Sequence, residues 1–244
     1  MLVLAECLDL VDFPAALGIR PNIAQLDLRE KVAAHVRRDL TEQDVLNADG
    51  TVHPEVAAML DTLGRAERTL EARWWRRDRG GTMVRFTLCR RAERHMIAVR
   101  DGEMMVLQWL APRIGLSRML TVILGSAAAA DVEPLTAPTA RLQNATAVEE
   151  LTAFGIAASS ARTYADIIAD PVSWAEITAA QRQSGGTVVC PKAAVGVLDS
   201  AQGRIVSLPR MVHGELYGSV LPGTDANLQR ALDELLGFLP AGAW

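Results

Sequence analysis

Residues 65–110 read RAERTLEARWWRRDRGGTMVRFTLCRRAERHMIAVRDGEMMVLQWL, and this stretch decides the fold. Residues 83–88 alternate apolar and polar side chains, as a strand with one buried face does. Residues 96–99 and 104–110 are apolar runs on either side of Asp101-Gly102. That dipeptide is a hairpin signal, because a type I′ turn needs positive φ. Residues 69–75 add another strand, and residues 76–81 are its loop. The stretch predicts a four-strand antiparallel meander. Pro112 ends it, and residues 114–130 read as a helix.

The same pattern returns downstream. Residues 174–180 read as a strand and 181–186 as a loop, followed by strand-like runs at 188–198, 205–208 and 216–221. Pro191 near the start of the first run is tolerable at a sheet edge. Residues 228–238 follow as a helix with Leu228, Leu232, Leu235 and Leu236 on one face, continued by Leu239. Gly80-Gly81-Thr82 recurs as Gly185-Gly186-Thr187, 105 residues later. Each half is a strand, a loop ending in GGT, a three-strand meander, a proline and a helix. Two copies at so long a period read as an internal duplication rather than a solenoid. The expected fold is α+β, a central antiparallel sheet with quasi-twofold internal duplication and helices segregated from it.

Helical sequence precedes each meander. Residues 28–40 are amphipathic, and Pro54 opens a helix where its missing N–H costs nothing. Residues 146–154 and 159–169 read as helices, with Thr146 and Glu149 as a capping box. Residues 14–20 read as a first strand. The chain is expected to form one domain, 1–244, with halves of about 1–132 and 145–244 joined by a linker at 133–144.

Half of the 244 residues are apolar and 22% are charged, so a sizeable core is available. The longest apolar run, residues 119–130, is shorter than the ~20 residues of a spanning helix, and the N-terminus lacks the basic start of a signal peptide. Neither membrane insertion nor export is expected, and the cytoplasm is the default. Three separated cysteines do not make a disulfide framework or a zinc site. No dinucleotide fingerprint, Walker loop, H-E-x-x-H or nucleophile elbow is present. No cofactor, metal or catalytic residue is assigned; Cys89 reads as a small sheet residue.

The net charge of −4 hides an uneven distribution. Residues 65–100 hold 11 Arg and 4 acids, while the flanking segments are acidic. Arg73, Arg76, Arg77, Arg79, Arg85, Arg90, Arg91, Arg94 and Arg100 fall on one meander, with Trp74 and Trp75 among them. Arginine with tryptophan fits a protein interface, a nucleic-acid module, or a solvated sheet face whose Arg stems cover apolar surface. Composition leaves these open, together with an enzyme whose site carries no recognised motif.

Further stretches carry a resemblance. Residues 47–54 (NADGTVHP), 153–179 (AFGIAASSARTYADIIADPVSWAEITA), 193–209 (AAVGVLDSAQGRIVSLP) and 214–224 (GELYGSVLPGT), then 239–244 (LPAGAW), are similar in order and spacing to the EspG family of type VII (ESX) secretion chaperones. The resemblance implies one α+β domain whose quasi-twofold sheet is flanked by two helical bundles. It implies a non-enzymatic cytoplasmic chaperone that binds the hydrophobic helical tip of the PPE subunit in a PE–PPE heterodimer. Such a chaperone keeps its partner soluble and directs it to a cognate secretion system. It uses no cofactor and no nucleic acid, and a homodimer stays open. The family's binding surface is the sheet, the loop between the second and third strands, and the C-terminal helical bundle. Carried over, that loop is residues 76–81, the helical bundle draws on residues 146–169 and 224–239, and the contact residues are Trp75, Arg76, Arg77, Arg79 and Arg85. The segment before the first strand is short for the family, which suggests a shorter N-terminal element.

Overall fold

The computed structural model describes every residue except 21, 22, 24, 112, 113 and 243. Helix α1 (Leu2–Cys7) leads through a 3-10 turn at Ala15–Leu17 to helices α2 (Leu26–Glu42) and α3 (Pro54–Gly64). Strands β1 (Arg68–Arg76), β2 (Met83–Arg91), β3 (Arg94–Asp101) and β4 (Met104–Leu110) form the first meander, and α4 (Leu116–Leu124) follows. Next come β5 (Leu135–Pro138), α5 (Thr139–Leu142), α6 (Val148–Thr152) and α7 (Ala158–Ala169). The second meander is β6 (Ser173–Arg182), a short β7 (Val188–Val189), β8 (Val195–Ser200), β9 (Gly203–Val212) and β10 (Glu215–Pro222). Helix α8 (Asp225–Gly237) closes the fold, its N-terminus capped by Thr224, whose hydroxyl accepts from the Asn227 N–H at 3.1 Å.

Among the described residues the ten strands make one antiparallel sheet, ordered β4-β3-β2-β1-β6-β8-β9-β10-β5, with β7 beside β6. The two meanders meet at the β1–β6 seam. Moving β1 by the 105-residue spacing of the GGT tripeptides lands on residues 173–181, and the observed strand is Ser173–Arg182. Within the seam Ala72 pairs with Ile177, its own counterpart at that spacing. The quasi-twofold axis therefore passes through this pair.

Strand alternation gives the sheet two faces. One carries Leu70, Ala72, Phe86, Leu88, Ile177, Val195, Val197 and Val206, and packs against α4 and α8 in the largest core cluster. The opposite face is covered at its ends only. Over the first meander, α1, α3 and the 3-10 turn bury Leu17, Leu60, Leu63, Cys89 and Met96. Over the second, α6 and α7 bury Leu151, Tyr164 and Ile167 against Ile205. These are the two helical bundles, and between them the sheet is open; α8, expected to belong to the second bundle, packs instead on the opposite face beside α4.

Several local expectations change. Residues 14–20 hold the 3-10 turn, not a strand, so the 76–81 loop joins the first and second strands of the sheet, not the second and third. The helix after the first meander ends at Leu124, where Gly125 at φ 83° turns the chain into an extended path that bridges to Arg204 through Ala129. The 188–198 run is two strands, because it breaks between Val189 and Val195 around Pro191. In the β3–β4 hairpin Asp101 pairs with Met104, leaving Gly102-Glu103 as the central residues with positive φ at Gly102 alone. That pattern belongs to type II′ rather than I′. The helix at 146–154 starts one residue later than its capping signal. Glu150, not Glu149, accepts from the Thr146 and Ala147 N–H groups, at 2.9 and 3.0 Å, which holds its carboxyl below the usual range. Residues 133–144 carry β5 and α5, and β5 pairs with β10 at the sheet edge. Pro112, read as the end of the first meander, lies outside the described residues.

Candidate partner-docking surface

The uncovered strip follows the seam on the bundle-bearing face. Here odd residues of β1 and even residues of β6 point the same way, because their registers pair Arg73 with Glu176 and Trp75 with Trp174. Arg73 and Glu176 are exposed, and the two tryptophans are half-buried. The strip thus mixes large flat apolar surface with one charge of each sign.

Beside it, a groove of about 550 Å³ opens between the second meander and its helical bundle. Its floor is Glu176, Thr178, Leu198 and Ser207, and its wall includes Leu142 of α5 and Ile168 of α7. Between Glu176 and Ser207 the register places Gly196, which adds no side chain to this floor. Gly196 donates its N–H to the Ser207 hydroxyl at 3.0 Å, and a Cβ at Gly196 would sit 2.5 Å from that oxygen.

The five residues expected to touch a partner separate into three places. Trp75 lies on the open strip, with Gly81 of the following loop close against its indole nitrogen. Arg76 emerges on the other face, its guanidinium 4.6 Å over the Trp74 ring. Its Nε donates to Asp78 at 2.9 Å. Arg77 and Arg79 are exposed on the loop at the end of the sheet. Arg77 pairs with Asp170, after α7, and its N–H donates to the Val172 carbonyl at 3.0 Å. Arg79 reaches Asp101, at the end of β3, at 3.6 Å. Hydrogen bonds from Arg76 and Arg77 hold the Asp78 and Asp170 carboxyls below their ordinary range. Arg85 is half-buried beneath the 3-10 turn and donates to the Ala16 carbonyl at 3.3 Å. The loop is therefore tied to both halves of the molecule, and Arg85 fixes the neighbouring turn.

Sequence reasoning missed Trp174, Glu176 and the groove. The register that sets Trp174 opposite Trp75 follows from the 105-residue spacing once the first strands of the two halves are assumed to pair along their full length. Nothing in the sequence alone requires that pairing. Cys89 is fully buried on the sheet, and burial pushes its thiol up to about 12, so no thiolate nucleophile forms there. No group of histidine, cysteine and acidic side chains that could hold a metal ion occurs among the described residues. Among them, too, no helix is long and apolar enough to cross a membrane.

The sequence profile of the EspG family matches residues 1–234. This chain belongs to the EspG family. It is 61% identical over 244 residues to the ESX-1 secretion-associated protein EspG1 of Mycobacterium marinum, covering 100% of this chain and 88% of that protein. Identity to EspG1 of Mycobacterium tuberculosis is 59%, over 100% of this chain and 86% of that protein. The ESX-3 secretion-associated protein EspG3 of Mycolicibacterium smegmatis is 27% identical, over 99% and 85%. Among EspG structures, M. tuberculosis EspG5, solved as a type VII secretion system chaperone in complex with a PE25–PPE41 dimer, superposes with a TM-score of 0.80. It shares 19% identity, over 100% of this chain and 95% of that one, a likeness of fold.

Proposed function

We propose that this EspG protein is a cytoplasmic chaperone that binds the PPE subunit of a PE–PPE heterodimer through the open strip and the groove beside it. It keeps the apolar tip of that subunit covered and delivers the pair to an ESX-1-type secretion machine. It catalyses no reaction. The observation that carries this reading is identity of about 60% along the whole of this chain to EspG1 proteins of ESX-1, more than twice that to EspG3.

The chemistry of the surface supports it. A protein with a large exposed apolar patch associates non-specifically. A cover for such a patch needs shape and apolar area, with charges at the rim for orientation and steering. Trp75, Trp174 and the groove supply the first. Arg77 and Arg79 stand at the end of the strip as rim charges, Arg76 braces the same loop from the other face of the sheet, and Arg85 holds the adjoining turn in place. Their pairing with Asp78, Asp170 and Asp101 leaves no continuous basic track on that loop for a nucleic-acid backbone. We read the chain as a single domain built from duplicated halves of about 1–132 and 145–244, which places the strip on the quasi-twofold seam.

Co-expression of this chain with a PE–PPE pair from an ESX-1-type locus tests the reading. A PPE subunit that is soluble only when this chain is present supports it. A PPE subunit equally soluble without it, and never co-purifying, refutes it.

A further inference from the structure

Arg76, Arg77 and Arg79 each face an aspartate of this chain, but Arg73 does not. It is exposed on the open strip, one residue from the quasi-twofold axis. Among the described residues no ion pair or hydrogen bond engages its guanidinium.

Its register neighbour on β2 is Arg85, whose own neighbour on β3 is Arg100. Three arginines thus stand in a row across adjacent strands on one face. Like charges directly opposite one another destabilise a sheet. For two of the three the N-terminal turn offsets this. Arg85 donates to Ala16, and Arg100 donates to the Leu17 and Gly18 carbonyls at 2.9 and 2.8 Å. None of the three has a carboxylate within ion-pair distance among the described residues. The turn does not engage Arg73. On its other side is Glu176, which lines the groove, so Arg73 stands at the rim where strip and groove meet.

We propose that Arg73 is the specificity-determining charge of the docking surface: a carboxylate beside the partner's apolar tip seats on Arg73 while the tip fills the groove. The inference rests on the chaperone reading and adds the chemistry of the partner, an apolar helical tip flanked by an acidic side chain. The row behind Arg73 places positive charge on its β2 side and Glu176 places negative charge on its β6 side, and this asymmetry favours a single orientation of the bound tip.

The test is competition for a PE–PPE heterodimer held in a preformed complex with the wild-type chain. Labelled Arg73→Glu, Arg73→Gln and Arg73→Lys variants compete, and each variant's thermal unfolding is recorded first. The glutamate variant should compete at least tenfold less well, the glutamine variant severalfold less well, and the lysine variant within threefold of wild type. The deficits should shrink at about 1 M salt, where the Debye length is about 3 Å. A folded Arg73→Glu variant that competes within twofold of wild type overturns the assignment and leaves the chaperone reading standing. If the wild-type chain forms no complex with any PE–PPE pair, the chaperone reading falls, and the role of Arg73 falls with it.

Discussion

Gly203 and Arg204 show how tightly single residues are specified where the chain crosses itself. Gly203 adopts φ 112°, and a Cβ there would lie 2.7–2.9 Å from backbone atoms of Ala128, Ala129 and Ala130. Neither the conformation nor the space admits a side chain, so Gly203→Ala should destabilise by about 2 kcal/mol or more in urea unfolding. Arg204 is 3% exposed and makes a bidentate pair with Asp199, at 2.6 and 2.9 Å. Asp199→Ala strands that buried cation and should cost about 3–5 kcal/mol by the same assay. Replacing the aspartate partners of the loop arginines should do far less, because those pairs are exposed and screened by solvent.

The β1–β2 loop is the element on which sequence reasoning and structure divide most clearly. The strands around it were legible because each alternates and each is punctuated by glycine. Its exposure was legible from Arg76-Arg77-Asp78-Arg79-Gly80-Gly81. Its partners were not: Asp170 and Asp101 lie far away in sequence, and no local pattern reports an ion pair closed by topology. Arg85 was misleading for a related reason. A strand pattern shows which face it takes but not that the Ala15–Leu17 turn folds over it. The short strand-like run at 14–20 failed because tertiary contacts from Arg85 and Arg100 fix it as a turn, and the capping signal at Thr146 failed because the adjacent Glu150, rather than Glu149, reaches the free N–H groups. The groove depends on α5–α7 packing over β6, β8 and β9, a relation between segments far apart in sequence.

Changing Arg76, Arg77 and Arg79 together to glutamate should abolish partner capture while the melting temperature stays near wild type, measured by co-purification and circular dichroism. Unchanged capture would remove the loop from the interface. The loop also has a signed pH response. The Asp78 and Asp170 carboxyls are held below their unfolded values by hydrogen bonds from Arg76 and Arg77. The pairs are therefore fully formed above about pH 4, near the unfolded carboxylate pKa, and are lost as pH falls through the depressed folded values. Amide chemical shifts at Arg77 and Gly80 should follow that transition while the core signals do not move.

On the scale of the whole molecule, the β1–β6 seam makes the two halves one cooperative unit. Nine register pairs join them, from Arg68↔Gln181 to Arg76↔Ser173. Separating the halves would expose two long strand edges and split the core under α4 and α8, which spans both meanders. Equilibrium unfolding should show one transition by both tryptophan fluorescence and far-ultraviolet circular dichroism, and fragments 1–132 and 145–244 should not fold separately. Two transitions would show that the meanders are independent domains. The same seam carries the open strip, so the surface assigned to docking exists only when both halves are assembled.

The central claim is that this surface holds a PE–PPE heterodimer in solution. The most direct measurement is size-exclusion chromatography with light scattering on the chain co-expressed with a PE–PPE pair from an ESX-1-type locus. A single 1:1:1 species, lost when Trp75 and Trp174 are both changed to aspartate in a chain that still folds, is the predicted result. A chain that elutes apart from every such pair, or a complex indifferent to those two changes, would contradict it.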